Sequence, residues 1–254
     1  MTDTPNPTAC LLIIGNEVLS GRTKDANLQY LAARLTGMGI RMAEARVIPD
    51  ITEVVVGALN ECRARYDYVF TTGGIGPTHD DITAACVAQA FGVALERNPE
   101  ARAMLRRNYK SDDELTEARL KMTEIPAGAA LVENPVSFAP GFRMENVYVF
   151  AGIPRIMQAM FEAIAGELKG GAPVLSRAIT APLPEGILGG PLAELQARYA
   201  DVDIGSYPFK KQDIAGAALV IRGRDPERLD EVAKALRDMV RALGAEPLEG
   251  DTVA

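Results

Sequence analysis

A glycine-rich segment at residues 71–83, with the sequence TTGGIGPTHDDIT, constrains the fold of this chain most strongly. A short run of β-forming residues before it predicts a buried strand over residues 66–72, and a helix is predicted from about residue 81 to residue 91. Three glycines within four residues let the backbone turn tightly between the two elements and approach a ligand closely. The first turn of a helix offers unpaired N–H groups and the positive end of the helix dipole. The segment is therefore typical of a phosphate site.

Two adjacent carboxylates, Asp80 and Asp81, follow the glycines. Carboxylate oxygens are preferred ligands of Mg²⁺ and similar divalent cations. We predict that both residues are metal ligands beside a phosphate or pyrophosphate group, with Asp80 the stronger candidate. Through the metal, both would take part in catalysis. Capping of the following helix is the alternative interpretation, and it applies to Asp81 in particular because this residue stands at the predicted helix start.

The turn also supplies candidate groups for binding phosphate, from its backbone and from its hydroxyls. These candidates are Thr72, Gly73, Gly74, Gly76 and Thr78. A plain strand-to-helix turn without a ligand is the alternative. His79 is the only histidine of the chain, and it is either a general base or a hydrogen-bonding partner of the neighbouring carboxylates.

Strands and helices alternate along the first part of the chain, and this order is typical of a parallel sheet with helices on both faces. The predicted strands cover residues 9–14, 40–48, 66–72 and 147–150, and the predicted helices include residues 25–36, 81–91 and 112–122. Asp50 and Glu53 resemble a capping box at the start of a further helix. The predicted fold class is α/β, a three-layer α/β/α arrangement.

A glycine- and proline-containing stretch at residues 170–173 predicts a domain boundary. The predicted domains are therefore residues 1–171 and residues 172–254. In the second, the order strand, helix, strand, strand, helix, with the first helix around residues 191–199, predicts a small α+β domain.

Charge and composition exclude several classes of function. With 27 Lys and Arg against 34 Asp and Glu the net charge is −7, and no basic cluster stands out, so nucleic acid is not an expected partner. No apolar run is long enough to span a bilayer, and the N-terminus lacks the pattern of a signal peptide. The three cysteines are far apart in sequence and suggest buried thiols in a reducing cytoplasm.

Four motifs in order resemble the molybdopterin-binding-like domain of the MogA and MoaB type, and most closely its CinA branch. They are residues 15–27 (GNEVLSG followed by DAN), the glycine loop at 73–83, residues 134–142 (NPVSFAPGF) and the turn at 152–154 (GIP) before a methionine-rich helix. The glycine loop is also similar to that of the domain fused to eukaryotic FAD synthases. The resemblance covers nearly the whole chain and implies a mostly parallel sheet of the MogA/MoaB type.

What the resemblance implies about activity differs between branches. CinA-type domains are associated with metal-dependent hydrolysis of ADP-ribose and related dinucleotides, the FAD-synthase-linked domain with FAD hydrolysis, and MogA-type relatives with adenylylation of molybdopterin. The resemblance thus implies a divalent metal (Mg²⁺, Mn²⁺ or Co²⁺), a nucleotide or pterin ligand, and a homo-oligomer. A binding module without catalysis is the rival from another class.

The motifs also bring further residues to the predicted site, in the crevice beyond the carboxyl ends of the strands. The residues added to the substrate site are Asp25, Asn27, Asn134, Ser137 and Gly152, and Glu17 is added as a group that orients or deprotonates water. Asp25 is equally well explained as a helix N-cap, and Glu17 as a loop residue bonded to a backbone N–H. Ser137-Phe138 stands where the CinA pattern has Gly-Thr, and this bulkier pair reshapes the expected pocket.

Overall fold

The computed structural model of the protein describes residues 5–211 and 214–250. The chain divides into two compact units, Met1–Gly171 and Ala172–Ala254, at the position of the predicted boundary.

The first unit contains a six-stranded mixed sheet whose order is β2-β1-β3-β8-β7-β6. Its strands are β1 (Thr8–Ile14), β2 (Arg41–Ile48), β3 (Tyr68–Thr72), β6 (Ala130–Val132), β7 (Gly141–Met144) and β8 (Val147–Phe150). β2, β1, β3 and β8 run parallel, whereas β7 and β6 add an antiparallel edge. A separate antiparallel ladder joins β4 (Leu95–Arg97) and β5 (Glu124–Pro126).

Helices cover both faces of this sheet. They are α1 (Asn16–Leu19), α2 (Asn27–Gly37), α3 (Thr52–Arg65), α4 (Thr83–Phe91), α5 (Pro99–Arg106), α6 (Glu117–Lys121) and α7 (Pro154–Ala165). Side chains alternate along a strand, so Leu12 of β1 packs with residues of α3 and α4, and Leu11 packs with residues of α2 and α7. The predicted three-layer α/β/α fold is confirmed.

The parallel strands end together at one edge of the sheet. Ile13 of β1 pairs with Thr72 of β3, and Thr72 pairs with Phe150 of β8. The turns that follow these three strands therefore meet, and the predicted site residues of the glycine loop lie among them.

Three local predictions are wrong. The predicted helix at residues 112–122 is broken into a 3-10 turn at Asp112–Glu114 and α6, because Thr116 stops the first and caps the second by accepting from the Arg119 N–H. The Asp50 carboxylate accepts a hydrogen bond from the Asn16 N–H at 2.8 Å instead of forming a capping box, and α3 starts without a side-chain cap. The helix predicted around residues 191–199 spans Glu185–Arg198, with Pro191 inside it.

The second unit is a two-layer α/β structure. Its antiparallel sheet has the order β10-β11-β9-β12, built from β9 (Leu175–Ala181), β10 (Asp203–Lys211), β11 (Ile214–Gly223) and β12 (Leu248–Glu249). α8 (Glu185–Arg198) and α9 (Pro226–Ala242) bury one face of this sheet. Among the described residues of both units, no helix combines the length and the apolar composition needed to cross a bilayer.

Candidate functional site

The turn between β3 and α4 brings the chain unusually close to its neighbours. Gly73 and Gly74 have φ angles of 101° and 69°. A Cβ at Gly73 would lie 2.2 Å from the carbonyl oxygen of Ile14, and one at Gly74 would lie 2.1 Å from the Thr83 hydroxyl. That hydroxyl donates to the Gly73 carbonyl at 3.0 Å. Glycine is therefore required at both positions, and the turn is fixed to β1 and to the start of α4.

Asp81 closes the loop and does not cap the helix. α4 begins at Thr83 and has no side-chain cap, so the alternative of capping by Asp81 is wrong. Instead, one Asp81 carboxylate oxygen accepts hydrogen bonds from the Thr78 N–H at 2.8 Å and from the Thr78 hydroxyl. Only Ile82 thus separates the aspartate pair from the helix, and the Asp81 carboxylate is used in part to hold the loop in place.

Asp80 is exposed beside this loop. The Thr78 hydroxyl, which is also within reach of this carboxylate, lowers the pKa of Asp80 below its ordinary value, helped by the backbone N–H of Asp80, by His79 and by Lys121. The Lys121 ammonium also donates to the Thr78 carbonyl. The loop therefore holds an ionised, accessible carboxylate next to a fixed cation.

Within residues 5–211 and 214–250, no three His, Cys, Asp or Glu side chains are grouped as a complete metal site. Mg²⁺ commonly takes only one or two carboxylates from a protein and completes its shell with water and substrate phosphates. Asp80 and Asp81 fit such a partial site. They do not fit a closed structural metal centre.

Six of the predicted residues line one cleft beyond the ends of β1, β3 and β8, which we call the polar cleft. These residues are Glu17, Asp25, Asn27, Thr72, Gly73 and Gly152, and Thr23 and Lys24 line it with them. A Cβ at Gly152 would lie 3.3 Å from the Gly73 Cα, so the two glycine turns also approach each other closely. The empty space of the polar cleft is about 350 Å³, part of it open to solvent.

Two side chains in the polar cleft have buried polar atoms without a partner. Asn27 is 4% exposed and Thr72 is 1% exposed. The Asn27 amide donates to the Gly152 carbonyl at 2.8 Å, whereas its Oδ1 atom and the Thr72 hydroxyl have no hydrogen bond among the described residues. Buried polar groups of this kind point to a ligand or to ordered water.

Glu17 and Asp25 provide the acidic groups of the polar cleft. Asp25 accepts from the Leu28 N–H at 2.9 Å, so one of its oxygens does cap α2. Glu17 stands on the short helix α1, and its carboxylate folds back against Gly15. The structure does not place Glu17 in the same cleft as Asp81, so the predicted single crevice is divided.

The other side of the turn lines a second cleft, which we call the apolar-walled cleft. It is formed by Gly74, Ile75, Gly76, Asp81, Ala84, Ala85, Leu95, Lys121, Met122, Glu124, Ile125, Pro140 and Phe142, and its empty space is about 420 Å³, part of it open to solvent. Ala84 and Ala85 belong to the first turn of α4, whose N–H groups have no partner within the helix. This cleft therefore combines helix N–H groups, the Lys121 ammonium and the carboxylates of Asp81 and Glu124 with an apolar wall.

Asn134 and Ser137 line neither cleft. The Asn134 amide donates to the Ser137 hydroxyl at 2.6 Å and to the Ala139 carbonyl at 2.8 Å, and its Oδ1 atom accepts from the N–H groups of Val136 and Ser137. All of its polar atoms are thus used inside the loop. Asn134 shapes the segment that carries Pro140 to the apolar-walled cleft, rather than offering a free group to a ligand.

We expect Asn134→Ala to lower the free energy of unfolding by about 2–4 kcal/mol, because four hydrogen bonds of about 1 kcal/mol each are lost in a buried loop. Ser137→Ala removes only one of these contacts and is the matched control, with an expected loss near 1 kcal/mol. Urea unfolding of the two variants checks the difference. Equal losses would contradict the organising role of Asn134.

Lys121 and the apolar wall were missed by sequence reasoning. Lys121 lies in a charged segment where nothing in the sequence separates it from surface lysines. Leu95, Ile125 and Phe142 come from three distant strands and meet only in the folded chain. Of these groups, only Pro140 and Phe142 belonged to a motif that the sequence analysis had singled out.

Comparison with known families decides which family this is. Residues 10–170 match the family model "Probable molybdopterin binding domain", which is more than half of the chain. The chain belongs to this family. Residues 173–248, in the second unit, match the model of the middle domain of FAD synthase.

Individual relatives agree with this family assignment. A protein of Archaeoglobus fulgidus is 31% identical over 231 residues, which cover 91% of this chain and 96% of that protein. A protein of Pyrobaculum calidifontis is 42% identical over 161 residues, and the match spans 61% of this chain and only 62% of the length of that relative. The crystal structure of the protein CinA from Thermoplasma acidophilum is 32% identical with a TM-score of 0.60, covering 65% of this chain and 99% of that one. The domain is therefore CinA-like in fold and sequence.

Proposed function

We propose that this member of the molybdopterin-binding domain family is a divalent-metal-dependent nucleotide pyrophosphatase that acts on ADP-ribose- or FAD-like substrates. The observation that carries the proposal is the β3–α4 loop. It groups the first turn of α4, the Asp80 and Asp81 carboxylates and the Lys121 ammonium around one glycine turn. Phosphate affinity and metal affinity thereby meet at one place.

The phosphoanhydride is assigned to the apolar-walled cleft. The backbone of Gly74 and Gly76 can approach phosphate oxygens, and the N–H groups of Ala84 and Ala85 donate to them. Lys121 offsets negative charge locally in a chain whose net charge is −7. The apolar wall, which includes Pro140 and Phe142, excludes water from the rest of the ligand.

The proposed reaction is hydrolysis of the anhydride bond. Water adds its oxygen to one phosphorus, the P–O bond of the anhydride breaks, and a proton leaves to solvent, so that ADP-ribose gives AMP and ribose 5-phosphate. Asp80 and Asp81 would hold the metal, which supplies charge stabilisation and a more acidic water. Asp81 additionally keeps the loop closed through Thr78. Glu17 remains a predicted water-orienting group, at the neighbouring polar cleft.

Two other functions use the same site. A module that binds a nucleotide or molybdopterin without catalysis is favoured by the bulky pair Ser137-Phe138. Phe138 has a φ of 58°, and its ring packs against the Arg107 guanidinium in the loop that leads to the apolar-walled cleft. An adenylyltransferase that acts on molybdopterin is favoured by the family to which the chain belongs. Both functions need the same phosphate-binding turn, and they differ in that only the adenylyltransferase transfers a group to a second substrate.

Product analysis distinguishes the three functions. The purified protein is incubated with ADP-ribose, FAD or NAD, each with Mg²⁺, Mn²⁺, Co²⁺ or EDTA, and AMP is measured by chromatography. We expect AMP release from ADP-ribose or FAD that requires the metal. Saturable binding by calorimetry with no product after hours would replace hydrolysis with the binding function, and an adenylylated pterin formed from ATP and molybdopterin would favour transfer.

A further inference from the structure

We propose that Cys10 and Cys62 form a redox-modification site, at which a hydroperoxide oxidises the two thiols to a disulfide that joins β1 to α3. All three cysteines of the chain are free and buried. Neither Cys10 nor Cys62 lines the polar cleft or the apolar-walled cleft. The inference therefore does not depend on the proposed function.

The distance between the two sulfur atoms carries the first step. The Sγ atoms of Cys10 and Cys62 lie 3.4 Å apart, although the residues are 52 positions apart in the sequence. Cys10 lies on β1 and Cys62 on α3, and both are fully buried. Both elements are held by the packed core around them, so the two thiols stay in contact. Formation of a bond between them needs only a small movement of two side chains.

The surroundings make the two thiols chemically different. The hydrogen bond that Cys10 donates, followed by the charge of the Arg46 guanidinium, lowers the pKa of Cys62. Burial and the carboxylates of Glu44 and Glu61 oppose this shift without reversing it. The same hydrogen bond and burial raise the pKa of Cys10. Because the thiolate is the nucleophile, Cys62 is the thiol that attacks an oxidant, and Cys10 keeps its proton until the second step.

A layer of polar side chains separates the thiol pair from solvent. Cys10 pairs with Glu44 of β2, which is the outermost strand on this side of the sheet in the part of the chain that the structure describes. Arg46 forms ion pairs with Glu44 and Glu61 at 2.6 Å each, and the three side chains are partly exposed. Ion pairs at the surface contribute little to stability and open readily. Hydrogen peroxide, which is little larger than water, can therefore reach the thiols while the sheet stays intact.

The reaction needs no reactant besides the hydroperoxide. The Cys62 sulfur attacks one oxygen of hydrogen peroxide, the O–O bond breaks, and hydroxide leaves and takes up the proton that Cys62 released. Cys62 is then a sulfenic acid. The Cys10 sulfur attacks it, the S–S bond forms, the S–O bond breaks, and the Cys10 proton leaves with the hydroxyl group as a second water. Two thiols have lost two electrons and two protons to one peroxide, and a dithiol reductant reverses the change.

Cys86 provides an internal control. It is fully buried in the same core cluster as the pair. All three cysteines lie in the described part of the chain, and the hydrogen bond between Cys10 and Cys62 is the one contact that joins two of them. Burial raises the pKa of Cys86. Cys86 should therefore react more slowly with peroxide, and it has no second thiol with which to form a disulfide.

Tryptic peptides locate the disulfide, because each cysteine lies in a different one, at residues 1–22, 47–63 and 66–97. The reduced wild type is treated with excess hydrogen peroxide, the remaining thiols are alkylated in urea, and the digest is analysed by mass spectrometry without reductant. We expect peptides 1–22 and 47–63 to be joined with the loss of two hydrogen atoms, and peptide 66–97 to be alkylated. The pair should react about 10-fold faster than Cys86, the ratio that one pKa unit gives in thiolate population.

Three variants separate the roles of the thiols. Cys10→Ala should stop the reaction at the Cys62 sulfenic acid, which dimedone traps on peptide 47–63. Cys62→Ala should leave Cys10 reduced, because the attacking thiol is missing. Cys86→Ala is the matched control, and it should form the joined peptides as the wild type does.

The disulfide should also change stability. It closes a long loop of the chain and so restricts the unfolded state. We expect the urea midpoint of the wild type and of Cys86→Ala to rise after oxidation and to return with dithiothreitol, and that of Cys62→Ala to stay the same. An unchanged midpoint in a fully oxidised wild type would contradict this constraint.

The proposal is overturned if the wild type keeps all three thiols in excess peroxide, if Cys86 is oxidised as fast as the pair, or if the disulfide joins two chains, which a non-reducing gel shows as a dimer. Because the peptide map is made on the wild type, it decides the question even if an alanine variant fails to fold. No step of the test uses AMP release, so its outcome is distinct from success or failure of the proposed function.

Discussion

Asp80→Ala is expected to lower metal-dependent AMP release by about 10²–10³-fold, the effect typical of removing one group that stabilises charge in a transition state. Asp80 is exposed, and the loop-closing bonds to Thr78 come from Asp81. The free energy of unfolding should therefore change by less than about 0.5 kcal/mol, as at ordinary surface positions. Initial rates at saturating metal, together with urea unfolding, measure the two effects separately.

Two further variants sharpen this prediction. Asp80→Asn keeps the size of the side chain and removes its charge, so it should match Asp80→Ala in rate if the residue acts as a metal ligand. Asp81→Ala loses both hydrogen bonds to Thr78 and should lower stability as well as rate. If Asp80→Ala keeps full activity over a titration of Mg²⁺, Mn²⁺ and Co²⁺, Asp80 is not a metal ligand and the prediction is wrong.

Most of the fold was predictable because it depends on local patterns. The buried strand before the glycines and the repeating apolar positions of the helices lie within short windows of sequence. β6 and β7 were not predicted, because their short sequences, ALV and GFRM, lack the unbroken run of β-forming residues that marks the equally short β8, VYVF. They form the antiparallel edge that supplies Phe142 to the apolar-walled cleft.

The site was predicted less completely than the fold. The glycine loop and Asp25 follow from motifs, but the division into two clefts depends on where Gly152 approaches Gly73, which is a contact between distant turns. Lys121 was missed for the same reason, since its bond to the Thr78 carbonyl joins residues 43 positions apart. Asn134 was recognised as part of a motif, but its position in the sequence does not reveal that its amide is used within the loop.

Gly73→Ala is expected to cause a large loss of stability together with a loss of function. The residue has a φ of 101°, and an added Cβ would lie 2.2 Å from the backbone oxygen of Ile14, which no side-chain movement can relieve. Left-handed strain of about 1–2 kcal/mol and overpacking of about 1–3 kcal/mol together predict a loss of about 2–5 kcal/mol. Separation of β3 from β1 would also distort both clefts.

Gly92→Ala is the matched control for this variant. Gly92 ends α4 in the left-handed conformation, with a φ of 67°, and an added Cβ would meet nothing within 4 Å. We therefore expect only the backbone strain, about 1–2 kcal/mol, with AMP release unchanged, because Gly92 lines neither cleft. Denaturant unfolding and initial rates are compared for Gly73→Ala and Gly92→Ala. The difference between them measures the effect of the close contact between the Gly73 turn and β1. Equal stability losses would mean that the Gly73 turn can move away from Ile14, and the rigid phosphate-binding geometry inferred for it would then be wrong.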